Sequence, residues 1–136
     1  MLLAYPCDMA SPFYFLPGGH VEYGESLKAA LIRELCEETG YNFKIVRFLG
    51  CLEHKFEIRP DLQLCRNHEY NFISLDSSDK CKAGILPPQL EQHIYFKWVS
   101  LDQIGYINVL PKSLSHLINN WLEKDFDESI YSQILN

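Results

Sequence analysis

Apolar residues recur with a helical period between Ser26 and Gly40, and that stripe runs into carboxylates. At about 100° per residue, Leu27, Ala30 and Leu31 project into the same sector as Glu34 and Glu38. The spacing predicts a helix over 27–38, with Ser26 as its N-cap and Gly40 just past its C-terminus. A second helix is expected after Pro111, where Leu114, Leu117, Ile118, Trp121 and Leu122 recur at i, i+3, i+4, i+7 and i+8. Ser100-Leu101-Asp102-Gln103 has the form of a capping box for a short helix.

Strand patterns fill much of the rest. Met1 to Tyr5 is a short apolar run stopped by Pro6, and Phe13 to Leu16 is another, leading into Pro17-Gly18-Gly19. Phe43 to Ile58 is rich in β-branched and aromatic residues, with Gly50 a bend or bulge. Residues 64–75 alternate in polarity. In 94–99, Ile94, Phe96 and Trp98 share a face. Residues 76–82 are polar and turn-like, and a loop follows through Pro87-Pro88. Beyond Glu123 the chain turns acidic, and Ile130, Ile134 and Leu135 are expected to form a short extra helix or a frayed tail. With no repeat and no low-complexity linker, one domain is expected over 1–122, with 123–136 as an acidic tail. The order of elements is compatible with a mixed sheet packed between helices.

Composition narrows the partners. A net charge of −6 argues against a non-specific nucleic-acid binder, which needs a basic stripe. It leaves a nucleotide ligand open, because a bound divalent ion supplies positive charge locally. The five cysteines, Cys7, Cys36, Cys51, Cys65 and Cys81, are odd in number and contain no Cys-x-x-Cys. They read as reduced thiols of a cytoplasmic protein, not as a disulfide framework or zinc site. No stretch is apolar enough to span a membrane, and there is no signal-peptide architecture.

The candidate chemistry lies on the first helix. Glu34, Glu37 and Glu38 stand at i, i+3 and i+4, where like charges repel by roughly 0.2–0.5 kcal/mol per pair. A cation is the simplest offset, and oxygen-only ligands select a hard ion, Mg²⁺ or Mn²⁺. A solvated acidic face is the alternative. Against it, the carboxylates continue an apolar stripe and so should line a cleft wall. Arg33 reaches Glu37 at i+4.

These residues resemble the Nudix box, the signature of the Nudix hydrolases: Gly, five residues, Glu, seven residues, then Arg-Glu-apolar-any-Glu-Glu-any-Gly-apolar. Gly19, Glu25, Arg33, Glu34, Leu35, Glu37, Glu38 and Gly40 match at the required spacing, and Tyr41 stands at the final apolar position. Leu16-Pro17-Gly18-Gly19 resembles the family's lead-in. The resemblance implies an α/β fold of the Nudix type, an α/β/α sandwich with a mixed β-sheet. It extends loosely through Trp98-Val99-Ser100-Leu101 and the helix at Leu110-Pro111. Family members usually carry a strand before the segment equivalent to Leu2-Leu3-Ala4-Tyr5. A strand of roughly five to six residues is therefore expected to be missing, or to be supplied by a neighbouring subunit in a homodimer.

The resemblance further implies divalent-metal-dependent hydrolysis of the diphosphate linkage of a small nucleotide by water attack at phosphorus. Carried over by position, Glu34 and Glu38 are the first metal ligands and Glu37 the third, with Mg²⁺ or Mn²⁺ as cofactor. Arg33 fixes a box carboxylate, and Glu25 is its partner. Gly18, Gly19 and His20 are placed at the substrate, and the main-chain carbonyl near Gly18-Gly19 adds an oxygen. The general base is Glu34 within the box; outside it the candidates are Glu91 and then Glu69, each otherwise an ordinary solvated glutamate. His54, His68, His93 and His116 have no mutual metal-ligand spacing. Trp98, Phe13, Tyr14 and Phe15 are candidates for stacking on a base, with core packing as their default role. ADP-ribose-specific members often carry a proline beyond the box, where Phe56 and Glu57 stand here and Pro60 comes later. The substrate expected is ADP-ribose-like or a nucleoside triphosphate. The alternative, a catalytically silent Nudix-fold sensor or interaction module, usually shows erosion of the Arg-Glu-x-x-Glu-Glu core, and here that core is intact.

Overall fold

The structure is a computed structural model that describes residues 1–7, 13–55, 68–123 and 129–132. Its elements in chain order are β1 (Leu2–Pro6), α1 (Leu27–Thr39), β2 (Lys44–Lys55), β3 (His68–Ser77), β4 (Ile94–Trp98), a 3₁₀ turn (Leu101–Tyr106), α2 (Leu114–Leu122) and β5 (Ile130–Ser132). β1 pairs antiparallel with β4, from Leu2 opposite Trp98 to Pro6 opposite Ile94. The second sheet has the order β3-β2-β5. β3 runs antiparallel to β2 and β5 parallel to it, which gives the mixed strand directions expected.

Helix α2 joins the two sheets. Its apolar stripe buries Leu114, Ile118 and Trp121. These side chains meet Leu3 of β1, Val99 just past β4, and Leu49, Leu52 and Ile73 from the second sheet, with Ile104 and Val109 closing the core. Gly50 makes the approach possible: a Cβ there would lie 2.6 Å from Trp121 Cε2 and 2.9 Å from the Ser129 carbonyl oxygen. The strand register shifts at the same place, between Phe48 and Gly50, as the bulge expectation requires. The end of α2 is held by Arg47, whose Nη2 donates to the carbonyls of Trp121 (3.1 Å) and Leu122 (3.0 Å). A cation at that end also complements the helix dipole.

Several local expectations are corrected. Phe13 to Leu16 forms isolated bridges only, Phe15 to Ala4 and Tyr14 to Val109. Ser100 makes no side-chain cap, and Gln103 N–H instead bonds the Ser100 carbonyl at 3.1 Å in a 3₁₀ turn. Pro111 does not open α2, which begins at Leu114 with Ser113 at its N-cap. Ile130, expected in a helix or a frayed tail, stands in β5, opposite Cys51. Its segment finds unpaired backbone groups on the β2 edge, whereas a short isolated helix must overcome a costly nucleus. Residues 56–58 and 64–67 of the expected strands, Pro60, and the positions of Ile134 and Leu135 lie outside the described residues.

Candidate active site

Local sequence builds α1 as a rigid platform. Ser26 Oγ accepts from Ala29 N–H at 3.2 Å, and Gly40 ends the helix at φ 72°, its N–H bonded to the Cys36 carbonyl at 2.8 Å. Thr39 is fully buried; its hydroxyl donates to the Leu35 carbonyl at 2.5 Å and accepts from Tyr41 N–H at 3.2 Å. The buried face carries Ala30, Leu35, Glu38 and Thr39. Leu27, expected on that face, is exposed.

Arg33 organises the charges. Nη2 and Nε grip Glu25 at 2.7 and 3.3 Å, and Nη1 donates to Glu34 Oε1 at 2.9 Å and to Glu37 Oε2 at 3.1 Å. Nη2 also bonds the His20 carbonyl at 3.1 Å. This use of the planar fork is beyond lysine. Glu25 accepts in addition from Glu22 N–H at 2.7 Å, and Arg33 with that amide holds its carboxyl below the usual carboxylate range. The Arg33 pKa is raised further by Glu25 and Glu34.

The glycine turn lies against the helix. Gly18 N–H donates to Glu38 Oε2 at 3.0 Å, and Gly18 adopts φ 140°. A Cβ at Gly19 would collide with the Glu34 carboxylate, so a larger residue there would have to displace that side chain. Glu38 is only 5% exposed, and burial pushes its pKa up to about 7 against the Gly18 hydrogen bond. The negative charges of Glu91 and then Glu34 raise it further.

Glu91, and not Glu69, therefore contributes to the field at Glu38. Its loop docks at the helix end, where a Cβ on Gly40 would stand 3.2 Å from Leu90 Cδ1. Glu91 also lies 3.3 Å from His93 Nε2. Glu69 sits on β3 opposite His54, whose Nε2 lies 3.8 Å from it. His20 is exposed and meets the network through its carbonyl. Tyr14 packs on the core and on Tyr5 (5.5 Å between ring centroids), and Phe13 meets Phe15 at 6.0 Å. Trp98 donates its indole N–H to the Ile85 carbonyl at 2.8 Å, tying the loop before Glu91 to β4.

As the side chains stand, no three His, Cys, Asp or Glu among the described residues are grouped to hold a metal ion. Arg33 takes only one oxygen each of Glu34 and Glu37, and Gly18 only one of Glu38. The donor set itself, all carboxylate and mutually repelling, fits a hard divalent cation and not zinc. The Gly18 N–H contact and the docking of Leu90 were missed by sequence reasoning; both depend on chain segments meeting in space.

The NUDIX domain model matches residues 5–122. Over 52 residues the chain is 45% identical to the "Putative 8-oxo-dGTP diphosphatase" of Bacillus subtilis (strain 168), covering 38% of this chain and 32% of that protein. Over 37 residues it is 43% identical to the "Putative nudix hydrolase 1" of Caenorhabditis elegans, covering 27% of this chain and 10% of that one. The match thus spans a third or less of the length of these curated relatives. The solution structure of the E. coli ORF135 protein superposes with TM-score 0.58 at 21% identity, covering 87% of this chain and 76% of that one. A structure from a study of MutT from Aliivibrio salmonicida and Vibrio cholerae superposes with TM-score 0.52 at 19% identity, covering 90% and 84%. These likenesses show the fold. No helix among the described residues is long and apolar enough to cross a membrane.

Proposed function

This chain belongs to the Nudix family, and on that premise we propose that it is a divalent-metal-dependent pyrophosphohydrolase of small nucleotides. The observation that carries the proposal is the buried Glu38, its pKa raised to about 7 by burial and by the charges of Glu91 and Glu34. Such an arrangement is costly unless a cation meets it. We assign Glu34, Glu37 and Glu38 to hold Mg²⁺ or Mn²⁺. When bound, such an ion offsets phosphate charge and makes a water more acidic.

The remaining work falls to the chain's own groups. Arg33 fixes the orientation of Glu34 and Glu37, and Glu25 holds Arg33 in turn. Gly18 N–H aims Glu38. Gly18, Gly19 and His20 form the turn that faces the phosphates. Glu34 and Glu91 are our preferred acceptors for the proton of the attacking water, because both act electrostatically on Glu38, and Glu69 ranks behind them. Water adds at phosphorus, the anhydride P–O bond breaks, and the leaving oxygen departs as phosphate or pyrophosphate. The B. subtilis relative's printed name favours a nucleoside triphosphate, an oxidised guanine nucleotide included, over an ADP-ribose-like substrate. We place the domain at 1–122, with the acidic segment 123–136 joined to it through β5, and the charge of −6 fits a cytoplasmic enzyme of free nucleotides without nucleic-acid or membrane partners.

Product formation with Mg²⁺ or Mn²⁺ tests this, read as pyrophosphate or phosphate from 8-oxo-dGTP and the common nucleoside triphosphates and as AMP from ADP-ribose and NADH, with Glu38→Gln alongside. The expected result is metal-dependent turnover that drops at least about 10²-fold in the variant. Turnover that survives chelation, or full activity in Glu38→Gln, overturns the proposal. Silence from folded, metal-binding protein favours the sensor reading.

A further inference from the structure

One face of the β3-β2-β5 sheet carries aromatic residues where an exposed face should be polar. Directly paired residues point to the same side of a sheet. Phe72 opposes Cys51, which opposes Ile130; Tyr70 opposes Glu53, which opposes Ser132; and Phe48 opposes Ser74. The rings of Phe48 and Phe72 lie 6.5 Å apart on that side. Leu52 and Ile73 occupy the opposite side and pack in the core with α2. Phe48, Phe72, Tyr70, Ile130 and the nearby Val46 are between 51% and 70% exposed. A half-covered antiparallel sheet ordinarily alternates apolar-in with polar-out, so this face breaks the pattern across three strands.

Its polar margins are already satisfied within the chain. Glu53 bonds His68 at 2.8 Å, and Ser74 bonds Asp76 at 3.0 Å. Covering the patch therefore strands no obvious charge. At about 150–250 Å² per aromatic side chain, the three half-exposed rings present roughly 300 Å², and Val46 and Ile130 raise the face to roughly 500 Å². A twofold contact covering it on both copies removes on the order of 1,000 Å², the lower bound of a specific interface.

We propose that this sheet face is the contact between two copies of the chain, packed sheet on sheet about a twofold axis with Phe48 and Phe72 at its centre. A self-complementary apolar patch is what an isologous contact requires. The net charge of −6 disfavours an anionic membrane as the occupant. This contact differs from strand donation across an edge, since β5 of the same chain already pairs with β2 over Cys51–Glu53. It also stands independently of the hydrolase proposal: among the described residues its ring contacts and strand partners include no residue of the box.

The test is sedimentation velocity on the full chain from about 5 to 200 μM, a range set by the low-affinity end of such interfaces, with Phe72→Glu, Phe48→Lys and Ile130→Lys alongside. The expected result is a concentration-dependent dimer whose Kd weakens about tenfold or more in each variant, with nucleotide turnover and the melting temperature of the dilute monomer unchanged. Salt provides a readout without any variant. Two copies of net charge −6 repel, so an apolar dimer tightens as salt rises, whereas an ionic contact loosens. A wild-type chain that stays monomeric throughout overturns the proposal, as does a dimer that ignores all three substitutions or loosens with salt.

Discussion

The two helices of this protein are built on opposite principles. Helix α2 buries Leu114, Ile118 and Trp121 and locks two sheets together by apolar contact. Helix α1 buries a carboxylate, Glu38, and is framed by the five donors of Arg33 and the glycine turn. One helix holds the fold; the other holds charges that water would otherwise hold more cheaply. The contrast teaches that stability and chemistry are separable here, so substitutions should sort by helix.

The sharpest test of that separation is Trp121→Ala. Emptying a site that is 1% exposed at the junction of both sheets should cost about 3–5 kcal/mol in denaturant unfolding. A loss below 1 kcal/mol would mean that α2 is not the organising element. Glu38→Gln should behave in the reverse way without added metal. The folded pKa of Glu38, about 7, lies above its ordinary 4.5. The folded state thus keeps its proton between those values while the unfolded chain loses it, and stability falls as pH rises from about 4.5 through 7. The variant should lack that slope and be more stable than wild type at pH 8 by roughly 2 kcal/mol, with no gain at pH 4. Equal melting curves at both pH values would remove the buried-charge account.

Arg33→Lys comes next. Lysine keeps the charge but cannot grip Glu25, Glu34 and Glu37 together, so kcat should fall about 10–100-fold with little change in melting. Unaltered kcat would show that orientation by the fork is unnecessary. Smallest is Ser26→Ala, which removes the Ala29 cap and should cost about 1 kcal/mol of stability while sparing KM.

Much of α1 was legible in the sequence because its signals are local. Ser26, Gly40 and the glutamate spacing act within a few residues, and the structure places the cap, the left-handed residue and the Arg33 contacts accordingly. The stripe of α2 was legible for the same reason, though its start was displaced from Pro111 to Leu114. Glu91 was one of two loop or strand alternatives, and its nearness to Glu38 depends on the docking of Leu90 on Gly40, a contact between segments far apart in sequence. β5 was misread for a kindred reason. Ile130 pairs with Cys51, and nothing near Ile130 in sequence announces a parallel neighbour. The 3₁₀ turn at Ser100 shows the limit of a motif: the residues of a capping box are present, but the tighter backbone leaves the serine hydroxyl without that role.

Arg33 has one further consequence. By engaging Glu25, Glu34 and Glu37 at once, it acts as a counterion the protein carries within itself. One guanidinium offsets only one of those three charges, so the network fixes the geometry of the acidic helix and still leaves it a negative surplus.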